Sequence, residues 1–212
     1  MFEKSSERLY VSTLLAELPW VVHGFGCRAT HGWPARFTNL KQTHSDKIVV
    51  ADDRKGCLEQ GDALITSEPG NLIGVRTADC VPVLIADPEH RTVAVIHAGW
   101  RGTSAEIVAK AVAKLTSEFG SRPAAMRAAI GPAIGPCCYE VGPEVSALFH
   151  TAGPTVDLRA ANQAQLLRAG LAPEHIDVSE FCTLCYGDGE FHSFRRDKES
   201  SGRMVSAIGI RA

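Results

Sequence analysis

The stretch VPVLIADPEHRTVAVIH, residues 81–97, reads as two apolar strands, Val81 to Ala86 and Thr92 to His97, on either side of the turn residues Asp87-Pro88-Glu89. Both runs are almost free of charge and rich in β-branched residues, as expected of strands covered on both faces. A turn centred between Pro88 and Glu89 sets Cys80 directly opposite His97. Paired residues share a face with Cβ atoms about 5 Å apart. A thiol and an imidazole that close make either half of a metal site or a Cys/His nucleophile pair. The same residues also fit a hydrogen-bonded core histidine beside a cysteine that packs as a small hydrophobe, and spacing alone does not separate these readings.

Outward from the hairpin, Ala63 to Thr66, Leu72 to Arg76 and Ala124 to Ile130 are further strand-length apolar runs bounded by turn residues. Helical spacing marks two segments. In Thr103 to Phe119 the residues Ile107, Val108, Ala111, Val112 and Leu115 recur at three and four, and Leu158 to Ala169 has the same habit. Thr103-Ser104-Ala105-Glu106 fits a capping box, and Gly120 ends the first helix. Gly131-Pro132 through Gly135-Pro136-Cys137-Cys138 must be a shaped loop, because proline lacks the ladder N–H and glycine favours turns. The class is α/β. No repeat, low-complexity tract or long linker interrupts it, so residues 1–212 read as a single domain.

Bulk properties agree with a globular domain that takes a small-molecule ligand. The 212 residues are 45% hydrophobic, enough for a continuous core. Lys plus Arg number 22 against 24 Asp plus Glu, so no long-range field draws the chain to nucleic acid or an anionic membrane. The first twenty residues mix charges into their apolar positions, and no run reaches the ~20 apolar residues of a membrane span. A cytoplasmic location is expected. Seven cysteines without an export signal suggest free thiols or metal ligands rather than a disulfide framework.

Around the Cys80/His97 pair stand Thr77-Ala78-Asp79, Gly99-Trp100-Arg101-Gly102 and, upstream, Gln42-Thr43-His44-Ser45, where His44 is the third ligand candidate. Two imidazoles and a thiolate form a set of borderline softness that suits zinc and leaves a fourth position open. Arg101 and Gly102 precede the helix start and Arg76 lies one strand earlier, so a phosphate could bind there; alternatively the capping box already satisfies those donors and Arg101 is a surface charge. Asp79 could orient a ligand or carry a proton, or serve only its own turn. The single Cys182-Thr183-Leu184-Cys185 motif and the adjacent Cys137-Cys138 read as packing residues, and Arg195-Arg196-Asp197 as a surface ion-pair cluster unless the fold brings it to the site.

Five motifs in order, Gln42 to Ser45, Thr77 to Cys80, His97 to Gly102, Gly131-Pro132 with Cys138-Tyr139-Glu140-Val141, and Phe191 to Asp197, resemble the YfiH/YlmD family, the FAMIN-like group labelled laccase-domain or polyphenol oxidase proteins. The resemblance runs from about Val21 to Ile210. It implies a layered α/β/β/α sandwich with mixed sheets and a catalytic zinc on His44, Cys80 and His97. It also implies phosphorolysis of adenosine, inosine, guanosine and methylthioadenosine, together with adenosine deamination, so that purine nucleosides and inorganic phosphate are the expected partners. The family pattern often has an aliphatic residue at the place of Thr43 and a second aromatic at the place of His192, positions that bear on substrate preference rather than on the metal ligands.

Three rival readings differ in what they require. A copper oxidase needs many imidazoles, commonly in His-x-His pairs, and the eight histidines here form no such pair. A Cys80/His97 hydrolase editing peptidoglycan precursors would leave His44 dispensable and chelators harmless. A zinc-stabilised binding module would need a fourth protein ligand, and none stands out.

Overall fold

In the computed structural model, which describes residues 1–51, 55–151 and 153–212, two sheets stack face to face. The six-stranded sheet runs in the order Ile176–Val178, Arg127–Ile130, Val81–Asp87, Thr92–Ala98, Ala63–Thr66, Ile48–Val50. Its two outer pairings are parallel and its inner ones antiparallel, so it is mixed. The five-stranded sheet, Phe2–Lys4, Leu9–Ser12, Val21–Gly26, Met204–Ile210, Leu72–Thr77, is antiparallel throughout.

The hairpin at residues 81–98 lies in the centre of the mixed sheet, buried on both faces. Leu84, Ala86, Val93 and Val95 point into the space between the sheets, where they meet Phe25, Ile73, Val75 and Ile208. Their neighbours Val83, Ile85, Ala94 and Ile96 point the other way, against Ile107, Ala111 and Leu115 of one helix and Leu158 and Leu166 of another. That double burial explains the uninterrupted apolar runs. The helices Ile107–Phe119 and Leu158–Arg168 thus cover one face of the molecule. On the far side, segment 27–38 lies over the five-stranded sheet: a Cβ added at Gly74 would come within 2.7 Å of the Phe37 ring, and one at Gly24 within 3.0 Å of Trp33. No helix among the described residues is long and apolar enough to cross a membrane.

Three local expectations need correction. The hairpin register is shifted by two residues, with Thr92 facing Asp87 and His97 facing Pro82, because the turn takes four residues rather than two. Asp87 holds that turn by accepting from Glu89 N (2.8 Å) and pairing with His90 Nδ1 (2.8 Å), while Arg91 takes a left-handed φ of 49°. The helix expected from Thr103 is two helices, Trp100–Ser104 and Ile107–Phe119, divided at Glu106 (φ 59°). No capping box forms: buried Thr103 receives Asn162 Nδ2 on its hydroxyl (3.1 Å) and Gln165 Nε2 on its carbonyl (2.7 Å), and Glu106 pairs with Arg168. Gly120 does end the second helix, at φ 74°. The strand expected from Ala124 begins only at Arg127, since Pro123–Ala125 form a 3-10 turn.

Candidate functional site

A register shift of an even number preserves side-chain faces. With the observed pairing carried one step past the strand, Cys80 lies level with Gly99 and diagonal to His97, on the same face. Asp79, immediately before Cys80, has a left-handed φ of 86° that turns the chain sharply into the strand Val81–Asp87. His44 arrives on the segment between the strands Asn39–Lys41 and Ile48–Val50, itself at φ 58°. The ligand atoms of His44, Cys80 and His97 all lie within 4.8 Å of one another, and the two imidazole rings meet edge to face with centroids 4.8 Å apart. His97 is buried, Cys80 partly so, and His44 is exposed.

The group that assembles this cluster is Asp62, a residue the motifs did not single out. Its side chain is fully buried. Oδ1 meets His97 Nδ1 (2.8 Å) and accepts from His44 N (3.0 Å); Oδ2 accepts from Ser45 N (2.7 Å) and Ser45 Oγ (2.6 Å). One carboxylate therefore shapes the His44 loop and fixes the His97 ring with its other nitrogen toward Cys80. Burial would raise the Asp62 carboxyl, but the hydrogen bonds from His97 and Ser45 hold it well below the usual carboxylate range. Burial likewise opposes ionisation of Cys80, and hydrogen bonds from His44 and His97 overcome it, bringing the thiol down to about 6. His97, despite burial, is raised to about 9 by Asp62 and Cys80. The Gln42 side chain completes the loop's anchoring, bonding the Arg76 carbonyl and N–H (2.8 Å each) as a strand would.

Gly99 leaves the cluster its room. A Cβ there would stand 3.1 Å from Cys80 Sγ and 3.2 Å from His44 Cδ2, with a cysteine sulfur and an imidazole both needing to give way. Overpacking of this kind costs about 1–3 kcal/mol. Gly99→Ala should therefore weaken metal binding by about tenfold or more in a metal titration, since 1.4 kcal/mol is tenfold, with the fold retained by circular dichroism; unchanged affinity would show that the ring and thiol are not held where Gly99 places them.

The cluster opens into a cavity of about 680 Å³ lined by Gln42, Arg76, Asp79, Tyr139, Phe194 and Arg195, with Lys198 and Arg203 at its wall. Arg76 lines it as its position suggested. Arg101 is instead exposed on the short helix, stacked on Trp100 (4.3 Å), outside the cavity lining, and Gly102 is buried against the Ser45 carbonyl. Asp79 is buried and both of its oxygens are engaged, accepting from Thr183 Oγ1 (2.7 Å) and Arg195 N (2.7 Å). That second bond draws Arg195 to the cavity, where its guanidinium lies 5.4 Å from the Tyr139 ring, while Arg196 and Asp197 pair with each other beside it. Arg76, Arg195, Lys198 and Arg203 carry no carboxylate partner among the described residues. Lys198 and Arg203 were not singled out by the sequence; Tyr139, Phe194 and Arg195 lie within its motifs without having been assigned to a cavity, and Arg76 and Arg195 alone hinted at this basic wall. The packing reading of Cys137, Cys138, Cys182 and Cys185 also needs revision, for their four sulfurs converge within 4.8 Å of one another.

This is the architecture of an α/β protein built on two stacked sheets, with a His/Cys/His cluster lining a basic cavity. Comparison with known proteins places it further. Residues 26–211 match the family described as multi-copper polyphenol oxidoreductase laccase. A purine nucleoside phosphorylase of Clostridium acetobutylicum is 40% identical over 179 residues, 80% of this chain and 75% of that protein. The adenosine deaminase RL5 of an unknown prokaryotic organism is 39% identical over 192 residues, 79% of this chain and 72% of that one. The crystal structure of YlmD from Geobacillus stearothermophilus superposes with a TM-score of 0.89 at 28% identity, covering 100% of this chain and 99% of that chain. The chain belongs to the laccase-domain family of enzymes, the YfiH/YlmD group.

Proposed function

We propose that this enzyme is a zinc-dependent purine nucleoside phosphorylase that also deaminates adenosine. The observation that carries the proposal is the union of the His44/Cys80/His97 cluster with a cavity bearing four cations free of carboxylate partners, among the described residues. Phosphorolysis needs both a nucleoside pocket and an anion subsite, and about 680 Å³ falls within the range of small-molecule pockets. The names of the two relatives agree with it, a purine nucleoside phosphorylase and an adenosine deaminase.

The donor set fits zinc: two imidazoles and one thiolate, three protein ligands, a cavity on the open side, and a buried carboxylate orienting one imidazole. Bound there, zinc would supply Lewis acidity and a means of ionising water near neutral pH. The chain's own side chains do the rest. Arg76, Arg195, Lys198 and Arg203 would hold inorganic phosphate for attack on the ribose C1′, a role the sequence suggested for Arg76, Arg101 and Gly102. Tyr139 and Phe194 offer aromatic surface for the purine. Burial raises the Tyr139 hydroxyl to about 12, so it stays protonated and can donate to the departing base. Asp79 serves as a positioning residue, tying Thr183 and the Arg195 backbone to the turn that presents Cys80.

One observation favours a second reading. A Cys80 sulfur within 4.8 Å of a His97 ring nitrogen, with the thiol lowered to about 6 and the imidazole raised to about 9, is the pattern of the thiolate–imidazolium pair of a cysteine hydrolase. The two readings part on phosphate. Purified protein given adenosine should release adenine only when phosphate is present, and inosine without it; no change in any nucleoside would move the hydrolase ahead. Within the phosphorylase reading, Arg195→Ala should raise the KM for phosphate by about tenfold or more, as expected for losing a charge-assisted hydrogen bond worth about 1.5–3 kcal/mol. The KM for nucleoside should change much less, and an equal rise in both would show that Arg195 acts on the shape of the cavity rather than on the anion.

A further inference from the structure

We propose that Cys137, Cys138, Cys182 and Cys185 form a second metal site, a tetrathiolate that takes zinc and pins two distant loops beneath the active cavity. The four sulfurs lie within 4.8 Å of one another, and Cys137 Sγ to Cys185 Sγ is 3.6 Å. With metal–sulfur bonds of about 2.3 Å, neighbouring sulfurs of a tetrahedral zinc site stand about 3.8 Å apart. A disulfide would need about 2.05 Å, so these sulfurs are spaced for a shared ion rather than for a bond between them. Four protein ligands close the coordination sphere, which makes the site structural, in contrast to the three-ligand cluster with its cavity side.

The surrounding backbone supports the assignment. Cys182 and Cys185 form a C-x-x-C turn in which Tyr186 N bonds the Cys182 carbonyl (3.0 Å), and Cys137 and Cys138 sit in a tight turn where Cys138 N and Tyr139 N both bond the Gly135 carbonyl (2.9 Å each). That turn is what lets adjacent cysteines contribute to one cluster. Gly135 N donates to Cys182 Sγ (3.2 Å), and an N–H aimed at a sulfur stabilises it as a thiolate ligand. Among the described residues no histidine or carboxylate belongs to the cluster, so its chemistry is soft and selects zinc over magnesium or calcium.

Its position gives the site a purpose. The loops it joins already touch, Ala133 bridging to Cys182 with Thr183 N on the Ala133 carbonyl (3.1 Å). Both then reach the catalytic turn: Ile134 N bonds the Asp79 carbonyl (2.9 Å) and Thr183 Oγ1 bonds the Asp79 carboxylate (2.7 Å). A metal at the four cysteines would hold Tyr139 and the Asp79 turn in place without touching substrate.

The test is a cobalt and zinc titration of reduced, metal-stripped protein. Wild-type chain should bind two equivalents. His44→Ala should bind one, with the intense near-ultraviolet absorption of thiolate-to-cobalt charge transfer that four sulfurs produce. Cys182→Ser/Cys185→Ser should lose that absorption and keep the other equivalent, so that failure of this site and failure of the His44/Cys80/His97 site register separately. Zinc should also raise the Tm of the His44→Ala protein. A folded, fully reduced His44→Ala chain that binds no cobalt, or whose Tm is indifferent to zinc, overturns the proposal.

Discussion

Cys80→Ala is expected to leave a folded protein with no metal at the catalytic cluster and with neither phosphorolysis nor deamination detectable. Removing groups that merely orient a ligand costs about 10–100-fold in metal affinity or activity, and losing the only thiolate of a three-ligand site must exceed that. The fold should survive, because Cys80 is only partly buried and stands outside the strand it precedes. The informative comparison is His44→Ala. A nucleophilic Cys80/His97 pair uses His44 only as a hydrogen-bond donor that lowers the thiol, so a hydrolase would lose all activity on Cys80→Ala and retain part of it on His44→Ala. A zinc centre loses it on both. Metal content and product formation, measured side by side on the two variants, separate these cases.

Asp62→Asn should have the next largest effect, although Asp62 touches no substrate. The change keeps volume but turns one acceptor oxygen into a donor that faces Ser45 N, His44 N or His97 Nδ1. An unsatisfied buried donor costs about 1–3 kcal/mol, which for a chain of this size lowers Tm by about 2–12 °C. Metal affinity should fall about 10–100-fold, since His97 loses the carboxylate that orients it. A stability loss with undiminished metal affinity would show that Asp62 only folds the loop. A second signature comes from metal-free protein: with Asp62 neutralised, the His97 pKa should drop from about 9, because the hydrogen bond that raises it is weakened. Histidine resonances followed against pH would read this directly.

The fold was legible wherever burial wrote itself into composition. Val81 to Ala86 and Thr92 to His97 are apolar without alternation because Leu84 faces one core and Ile85 the other, and this announced the central hairpin. The register was not legible, because it depends on how Asp87 folds back on Glu89 and His90, a local choice that Pro88-Glu89 alone does not specify. The Cys80/His97 association survived that error only because the shift was even. The break at Glu106 left no trace, since a left-handed residue between two helices alters neither their apolar spacing nor their propensities.

At the proposed site, the three side chains that the structure gathers into a cluster were singled out in the sequence and those that organise them were not. His44, Cys80 and His97 belong to residue types that stand out, whereas Asp62 is one acidic residue among many, tied to His97 across 35 positions and recognisable only once the sheet brings the strands Ala63–Thr66 and Thr92–Ala98 together. Arg195 reaches the cavity through Asp79, 116 residues earlier, and Cys137 meets Cys185 across 48. Such separations carry no periodicity for a reader of the chain to detect.

The central claim is that zinc on His44, Cys80 and His97 makes this chain a nucleoside enzyme, and reconstitution tests it most directly. Metal-stripped protein would be reloaded with zinc or with copper under anaerobic conditions and given adenosine with phosphate. The account predicts that zinc restores adenine and inosine formation without oxygen and that copper does not. Full activity in the metal-free protein, or recovery only with copper and oxygen, would contradict it.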